Sequence, residues 1–329
     1  MAEGDAIAVS VVIPVYNESA GLAALFTRLY PALDTLGIRY EVVFVDDGSR
    51  DASPALLREQ YQLRPDVTRV VLLQTNFGQH AAILAGFSVV RGIRIVTLDA
   101  DLQNPPEEIA RLLEAMDAGH DYVGSIRKRR RDPLWRKWAS RLMNRMRERI
   151  TSIQMTDQGC MLRAYSREIV DAINHTGGIN TFIPALAYTY ASNPTEVRVE
   201  HMERHTGESK YSLLKLIHLN FDLVTGFSVV PLEVFSLSGV VIALSSLGLF
   251  IWIMVERLVH GPDVGGVFTL FAILFFFVGV VLIGIGILGE YIGRIYQQVQ
   301  QRPRFVIRAV LGTEDTALLM ADTEAKHGF

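Results

Sequence analysis

Two carboxylates separated by one residue follow a short apolar stretch in the N-terminal half of the chain. Residues 95–98 are β-prone and mostly apolar, which predicts a buried strand, and Asp99 and Asp101 come directly after it. Two prolines then turn the chain towards a helix that we expect to begin near Glu107. Acidic side chains at the carboxyl end of a strand in an open α/β sheet point into the ligand-binding crevice of such folds. The pair therefore suits one Mg²⁺ or Mn²⁺ with positions left for diphosphate oxygens, although a solvated turn can have the same spacing.

The strand before Asp99 is the fourth in a predicted alternation of strands and helices. Strands are predicted over residues 9–15, 40–45, 67–73 and 95–98. A helix over about 21–36 separates the first two strands, and Asn17 or Ser19 is expected to cap it. Alternation of this kind implies parallel pairing and right-handed crossovers. The predicted fold class is therefore α/β, with a doubly wound and mostly parallel sheet.

Polar residues also follow the first and second predicted strands. Residues 16–19 read Tyr-Asn-Glu-Ser, and residues 46–49 read Asp-Asp-Gly-Ser. The second sequence is an ordinary turn or, alternatively, a site where carboxylates recognise a nucleobase and ribose. Because the carboxyl ends of parallel strands meet at one edge of a sheet, we expect Glu18, Asp47 and Asp99 to surround a single crevice.

The composition of the chain restricts the class of protein. A length of 329 residues fits two domains, or one domain and a membrane anchor. The formal charge of −3 and the pI of about 6.3 do not suggest a nucleic-acid partner, whereas 50% apolar residues and a mean hydropathy of +0.24 are unusual for a purely soluble protein. A single cysteine, Cys160, excludes an internal disulfide framework. No signal peptide is visible at the start, so we expect the N-terminal domain to be cytoplasmic.

A basic segment with tryptophans lies between the predicted sheet and the apolar C-terminal part. Residues 127–131 are almost all arginine, and residues 134–150 place Trp135 and Trp138 on an apolar helical face opposite Arg136 and Arg141. A basic amphipathic helix of this kind suits the headgroup region of an anionic bilayer. A solvated surface helix is the alternative. Nucleic-acid binding is less consistent, because the aromatic residues are not interleaved with the arginines.

Two apolar runs near the C-terminus predict a transmembrane hairpin. The runs cover residues 237–258 and 267–288, about 22 residues each, long enough to cross a hydrocarbon core of ~30 Å. Arginines follow the second run and are almost absent from the intervening turn, which predicts that both ends of the hairpin face the cytoplasm. The predicted parts are a cytoplasmic N-terminal domain (1–209), interface helices (210–232), the transmembrane hairpin (233–292), and a C-terminal cytoplasmic segment and tail (293–329).

Several motifs resemble those of a known enzyme family. Val-Ile-Pro-Val-Tyr-Asn-Glu (12–18), Asp-Asp-Gly-Ser (46–49) and Asp-Ala-Asp-Leu-Gln-Asn-Pro-Pro-Glu-Glu (99–108) resemble family 2 glycosyltransferases of the GT-A fold. Within that family the chain is most similar to polyprenyl-phosphate glycosyltransferases, through the motifs at 76–80, 159–165, 207–212 and 288–296. These later motifs most resemble the bacterial enzymes that move 4-deoxy-4-formamido-L-arabinose from UDP to undecaprenyl phosphate. Such enzymes serve lipid A modification and polymyxin resistance.

The resemblance implies overlapping sets of site residues. The donor-binding residues would be Pro14, Tyr16, Asn17, Glu18, Asp46, Asp47, Ser49, Gln79, Asp99, Ala100 and Asp101. The acceptor-phosphate residues would be Arg127, Arg136, Ser140, Arg141 and Arg204. The Mg²⁺ or Mn²⁺ ligands would be Asp99, Asp101 and Gln103, and the catalytic residues would be Asp99, Asp101 and Asp157.

The implied reaction is an inverting displacement at the anomeric carbon of the sugar. The attacking phosphate should have a second pKa near 6, by analogy with phosphoserine, and needs no strong general base. Asp157 could assist without being an obligatory base. Transfer of glucose, mannose or another hexose from a UDP- or GDP-sugar remains an alternative, as does a non-catalytic membrane scaffold.

The same resemblance implies the partners and the location. The expected partners are a UDP-sugar donor, undecaprenyl phosphate and the lipid bilayer, with no nucleic acid. The expected location is the bacterial inner membrane, crossed more than once, with the catalytic domain on the cytoplasmic side. Relatives that form tetramers make a homo-oligomer the expected assembly, although no residue pattern here requires it.

Overall fold

The structure is a computed structural model of the full chain. It describes residues 6–127, 155–157, 159–176, 182–200, 230–260, 266–300 and 303–312. These residues fall into two compact units, one built on a single sheet and the other on two long helices.

Among the described residues, the sheet unit contains eight strands, and six helices of eight or more residues lie between them or beside them. The strands are β1 Val9–Val15, β2 Tyr40–Asp46, β3 Thr68–Leu73, β4 Arg94–Thr97, β5 Tyr122–Arg127, β6 Arg163–Ser166, β7 Pro194–Val199 and β8 Ile307–Leu311. The helices are α1 Ser19–Asp34, α2 Ser53–Leu63, α3 Gln79–Phe87, α4 Ile109–Asp117, α5 Arg167–His175 and α6 Ile183–Tyr190. The helix predicted near Glu107 begins with a 3₁₀ turn, Pro106–Glu108, before α4.

The centre of the sheet confirms the predicted parallel strands. The strand order is β7-β5-β6-β4-β1-β2-β3-β8, and β4, β1, β2 and β3 pair in parallel. Every residue of β2 and β3 is buried, as expected for strands covered on both faces. Helices α1, α2 and α4 supply apolar residues to the core on one face. On the other face α3 approaches so closely that a Cβ on Gly86 would lie 2.4 Å from Val12 Cγ1.

The sheet is more mixed than the sequence predicted. Strand β6 runs antiparallel to both β4 and β5, while β7 pairs in parallel with β5. Strand β8 is the last strand on the side opposite β7 and runs antiparallel to β3. Strand β8 lies in the C-terminal segment after residue 293, for which the sequence analysis predicted no secondary-structure element. The backbone of β8 pairs with β3, so β3 does not present an unpaired row of backbone groups at the edge of the sheet.

The start of α1 also corrects a prediction. Neither Asn17 nor Ser19 caps the helix with its side chain. Asp51 does so from the next loop, because its Oδ2 accepts a hydrogen bond from Ser19 N at 3.0 Å while its Oδ1 accepts one from Ser53 N at 3.0 Å. One carboxylate therefore caps the starts of α1 and α2 together. Desolvation opposes the shift, but the hydrogen bonds from Ser53 and Ser19 hold the pKa of Asp51 down at about 2.

The second unit contains the helices α7 Val230–His260 and α8 Gly266–Val299. Each contains a stretch that is long and apolar enough to cross a membrane, Leu232–Leu249 in α7 and Ile273–Gly293 in α8. Large apolar side chains are exposed along both helices. Where they meet, a Cβ on Gly284 would lie 2.0 Å from Cζ of Phe235, so glycine is needed for this close approach.

Candidate active site at the carboxyl edge of the sheet

Asp99 lies just beyond the carboxyl end of β4 and is only partly exposed. Its Oδ1 accepts a hydrogen bond from Gln79 Nε2 at 2.7 Å, and its Oδ2 lies 3.5 Å from Asn104 Nδ2. Burial and then the negative charge of Asp101 raise the pKa of Asp99 to about 7, and Glu18 adds a smaller effect of the same sign. Asp101 and Glu18 are thus close enough to Asp99 to affect its pKa. The expectation that Glu18, Asp47 and Asp99 surround one crevice stays a prediction.

The turn after Asp99 holds the second carboxylate of the pair. Ala100 is buried, and Asp101 Oδ1 accepts a hydrogen bond from the backbone N–H of Gln103 at 3.1 Å. Leu102, between Asp101 and Gln103, has a φ of 57°, in the left-handed region that bulky residues rarely adopt. Strain of this kind persists where the surrounding structure fixes a loop for function.

Asp47, at the end of β2, positions the loop that carries Gln79. Its Oδ1 accepts a hydrogen bond from Phe77 N at 2.8 Å, and its Oδ2 accepts one from Gly78 N at 2.9 Å. Burial raises the pKa of Asp47, while these two backbone donors oppose that rise. Gln79 is the first residue of α3 and donates to Asp99, so Asp47 acts on the acidic pair through this loop.

Asp46 is a buried carboxylate of a different kind. Both of its oxygens are buried without a hydrogen-bond partner among the described residues. Burial raises the pKa of Asp46. The hydroxyl and backbone N–H of Ser49 lie near enough to oppose that rise, but neither makes a hydrogen bond to the carboxylate. A buried acceptor left in this state costs free energy unless a ligand supplies the donor.

The loop after β1 is tied to the loop after β2. The backbone N–H of Asn17 donates to Ser49 Oγ at 2.9 Å, and Arg50 N donates to Asn17 Oδ1 at 2.8 Å. Asn17 has a φ of 54°, which its side-chain hydrogen bond helps to maintain. Pro14 is partly buried within β1, whereas the ring of Tyr16 is 44% exposed at the same edge of the sheet.

Arg127, at the end of β5, pairs with Asp157. Arg127 Nε donates to Asp157 Oδ2 at 2.6 Å, and Nη2 donates to Oδ1 at 2.8 Å. Asp157 is buried, and Gly159 N adds a hydrogen bond of 3.2 Å to its Oδ1. The guanidinium is close enough to Asp99 to oppose the rise in the pKa of that carboxyl. A partly buried ion pair therefore borders the acidic pair.

The donor set at Asp99 and Asp101 suits a hard divalent cation. Both residues offer carboxylate oxygens, and the like charge that raises the pKa of Asp99 would be relieved by a cation between them. Among the described residues there is no group of three or more histidine, cysteine, aspartate or glutamate side chains arranged as metal ligands. Any bound ion would therefore take its remaining ligands from a substrate, from water or from other residue types.

The sequence matches known proteins along nearly its whole length. Residues 10–173 match Glycosyl transferase family 2. The chain is 52% identical to the undecaprenyl-phosphate 4-deoxy-4-formamido-L-arabinose transferase of Yersinia enterocolitica over 94% of this chain and 95% of the relative. It is 50% identical to the enzyme of that name from Klebsiella pneumoniae over 94% and 95% of the two chains.

The chain belongs to glycosyltransferase family 2. A more distant likeness is to the crystal structure of glucosyl-3-phosphoglycerate synthase from Mycobacterium tuberculosis in complex with Mn²⁺, UDP-glucose and phosphoglyceric acid. That likeness has a TM-score of 0.47 and 16% identity, and it covers 67% of this chain and 78% of the other.

The predicted acceptor residues of this glycosyltransferase are only partly described. Arg127 lies at the site, whereas Arg136, Ser140, Arg141 and Arg204 lie outside the described residues. Their roles stay predictions.

Two buried residues of this glycosyltransferase were not anticipated from the sequence. Asn104 places its amide beside Asp99, and its Oδ1 lies 3.5 Å from Cys160 Sγ. Arg163 is fully buried at the start of β6. The sequence contains a signal for Arg163, because a single cation within the otherwise apolar run 160–165 is typical of a buried charge that binds the backbone.

Proposed function

We propose that the protein transfers 4-deoxy-4-formamido-L-arabinose from its UDP donor to undecaprenyl phosphate, with inversion at the anomeric carbon. The names of relatives about 50% identical over nearly the full length support the choice of donor and acceptor. The observation that carries the chemistry is the crowding of Asp99, Asp101 and Glu18 at one sheet edge, where burial and then these like charges raise the pKa of Asp99 to about 7. Such crowding suits a site that binds a cationic and phosphorylated ligand.

The UDP moiety would occupy the edge formed by the ends of β1 and β2. Asp46, buried without a hydrogen-bond donor among the described residues, is suited to accept from an N–H or hydroxyl group of the nucleoside. The exposed ring of Tyr16 offers a surface for the base, and Pro14 and Ser49 would complete this part of the site. Asn17 and Asp47 would contribute by holding the two loops in place.

The diphosphate would lie beside Asp99, Ala100 and Asp101. Asp99, Asp101 and Gln103 would hold Mg²⁺ or Mn²⁺, which when bound supplies positive charge against the departing diphosphate. Gln79 orients Asp99 through its amide hydrogen bond. The strained backbone at Leu102 fixes the direction of Asp101.

The acceptor phosphate would approach from the side of Arg127. A dianionic phosphate is itself the nucleophile, so positioning matters more than removal of a proton. The carboxylate of Asp157 already accepts two hydrogen bonds from Arg127 and one from Gly159, which favours a positioning role for it over a role as base. Arg136, Ser140, Arg141 and Arg204 complete the proposed phosphate site.

The proposed location is the bacterial inner membrane with the sheet unit in the cytoplasm. Helices α7 and α8 would form the transmembrane hairpin, since both contain a stretch that is apolar and long enough to span the bilayer. At this surface the isoprenoid tail remains in lipid while its phosphate reaches the enzyme. A homo-oligomer, with a tetramer as one form, is part of the same proposal.

The decisive experiment uses the full-length protein with undecaprenyl phosphate, Mn²⁺ and a panel of labelled UDP- and GDP-sugars. We expect label from UDP-4-deoxy-4-formamido-L-arabinose to enter the lipid fraction far faster than label from UDP-glucose or GDP-mannose. Preference for a hexose donor would contradict the proposed sugar, and absence of transfer from every donor would contradict an enzymatic role.

A further inference from the structure

Arg163 is a cation buried inside the sheet unit with its donors directed at the backbone. Its side chain has no solvent exposure. Nε donates to the carbonyl oxygen of Cys160 at 2.8 Å, and Nη2 donates to the carbonyl oxygen of Asp157 at 2.7 Å. Nη1 donates to the hydroxyl of Tyr122. Burial of a guanidinium is costly, so these hydrogen bonds must offset a large loss of hydration.

The segment that Arg163 holds carries one half of the partly buried ion pair. Arg163 binds the main-chain carbonyl of Asp157, while the side chain of Asp157 binds Arg127 through two hydrogen bonds of 2.6 and 2.8 Å. The backbone of this segment passes close to the guanidinium of Arg127, since a Cβ on Gly159 would lie 3.1 Å from Arg127 Nη2. A small shift of the segment would therefore rotate or displace Arg127.

Arg127 retains donors for a ligand. Its Nε and Nη2 groups serve Asp157, whereas its Nη1 group has no partner among the described residues. The hydrogen bonds to Asp157 fix the direction in which Arg127 Nη1 points, and the hydrogen bond from Arg163 holds the backbone of Asp157 in place. None of the hydrogen bonds that Arg163 donates among the described residues reaches Asp99, Asp101 or Gln79.

We propose that Arg163 is a positioning residue for the acceptor, which sets affinity for the lipid phosphate through Asp157 and Arg127 and leaves affinity for the nucleotide nearly unchanged. This inference rests on the proposed function, because it takes Arg127 as a phosphate ligand. Loss of the Arg163 fork frees the backbone at residues 157–160 and misaligns the guanidinium of Arg127.

The test compares two buried arginines of the same sheet. Arg69, 3% exposed, lies at the opposite edge, where its Nη1 donates to Val89 O and lies 3.4 Å from Glu41 Oε2. Arg163→Lys and Arg69→Lys each remove one planar fork and keep the charge. Binding of undecaprenyl phosphate and of UDP with Mn²⁺ is measured by calorimetry on the full-length protein in detergent, together with the melting temperature.

We expect Arg163→Lys to weaken binding of undecaprenyl phosphate by about tenfold, the scale of one charge-assisted hydrogen bond, with UDP affinity within about twofold of wild type. Arg69→Lys should lower the melting temperature and change neither affinity. In an Asp157→Asn background, Arg163→Lys should have much less further effect, because both residues act on Arg127 through the same contact.

The outcomes separate the inference from the function on which it rests. If Arg163→Lys does not fold, Tyr122→Phe removes only the hydroxyl partner of Arg163 and should weaken lipid-phosphate binding in the same direction by a smaller factor. Unchanged lipid-phosphate binding in the folded variant, or effects that add fully with Asp157→Asn, would overturn the positioning role. A wild-type protein that binds UDP but no undecaprenyl phosphate would instead overturn the proposed acceptor.

Discussion

The two edges of the sheet treat buried charge in opposite ways. At the amino edge, Glu41 is buried and accepts hydrogen bonds from Ser10 Oγ at 2.6 Å and Arg91 N at 2.6 Å, and it lies beside the guanidinium groups of Arg69 and Arg91. At the carboxyl edge, Asp46 is buried with no hydrogen-bond partner among the described residues.

Asp99 continues the contrast at the carboxyl edge, because burial and then the negative charge of Asp101 raise its pKa to about 7. The carboxylate at the amino edge is thus neutralised within the fold, whereas Asp46 and Asp99 at the carboxyl edge, unlike Asp47 and Asp157, are left for a ligand to neutralise. We infer that the charges at the amino edge stabilise the fold, whereas those at the carboxyl edge serve ligand binding.

The largest expected effect comes from removing a negative charge at the carboxyl edge, which tests whether that edge serves binding and not stability. Asp99→Asn should lower sugar transfer by on the order of 10³-fold, the scale of losing one preorganised electrostatic contact in a catalytic site. Its melting temperature should equal or exceed that of wild type, because the substitution removes a crowded negative charge. A steady-state assay together with thermal unfolding checks both parts, and a large loss of stability would contradict this division of roles.

The matching change at the amino edge should have the reverse result. Glu41→Gln leaves the buried guanidinium of Arg69 without its carboxylate, which should destabilise the protein by about 3 kcal/mol. Activity per folded molecule should stay within about twofold of wild type, since the residue lies at the far edge from Asp99. Denaturant unfolding and the transfer assay measure the two effects separately.

Two glycines with positive φ, one at each edge of the sheet, allow the effect of backbone strain to be compared between the edges. Gly48 at the carboxyl edge has a φ of 69°, and a Cβ there would lie 2.5 Å from the carbonyl carbon of Thr75. Gly37 at the amino edge has a φ of 64° with nothing within 4 Å of a Cβ. Gly48→Ala should cost about 2 kcal/mol and raise the KM for the donor several-fold, because it displaces the loop before Gln79.

Gly37→Ala is the control for that experiment. It should cost about 1 kcal/mol, the penalty for a left-handed alanine, and leave the donor KM unchanged. Equal changes of the donor KM in the two variants would contradict the claim that displacing the loop at Thr75 disturbs the donor site.

The smallest effect is a pH dependence of the ligand-free protein. Asp99 has a pKa of about 7 when folded against an ordinary value of 3.8. The folded state therefore holds this proton more tightly than the unfolded state, so its contribution to stability is complete below about pH 4 and is lost as the pH rises through 7. The melting temperature of wild type should fall relative to that of Asp99→Asn between pH 5 and 8, whereas parallel curves would contradict the raised pKa.

Much of the carboxyl edge was predictable from the sequence, because strand ends and acidic residues are both local signals. The apolar runs predicted the four central strands, and the polar turns that end them placed Asp99 directly after the fourth. Parallel strands bring such ends together without any further information.

The contacts that were missed depend on residues far apart in the chain. Strand β8 joins β3 across more than two hundred residues, and a run of five mostly apolar residues does not identify its partner. Asp51 caps α1 from another loop, which no pattern around Ser19 signals. Arg163 was visible as a charge in an apolar run, yet only the fold reveals that its donors hold Asp157.

The most direct test of the central claim measures UDP binding by calorimetry in wild type and in Asp101→Asn. The account predicts tight binding to wild type only with Mn²⁺ or Mg²⁺ present, and a loss of most of that binding in the variant at an unchanged melting temperature. UDP that binds wild type equally well in excess EDTA, or that binds the variant as tightly as wild type, would contradict the claim that the carboxylates of this edge are reserved for a cation and a diphosphate.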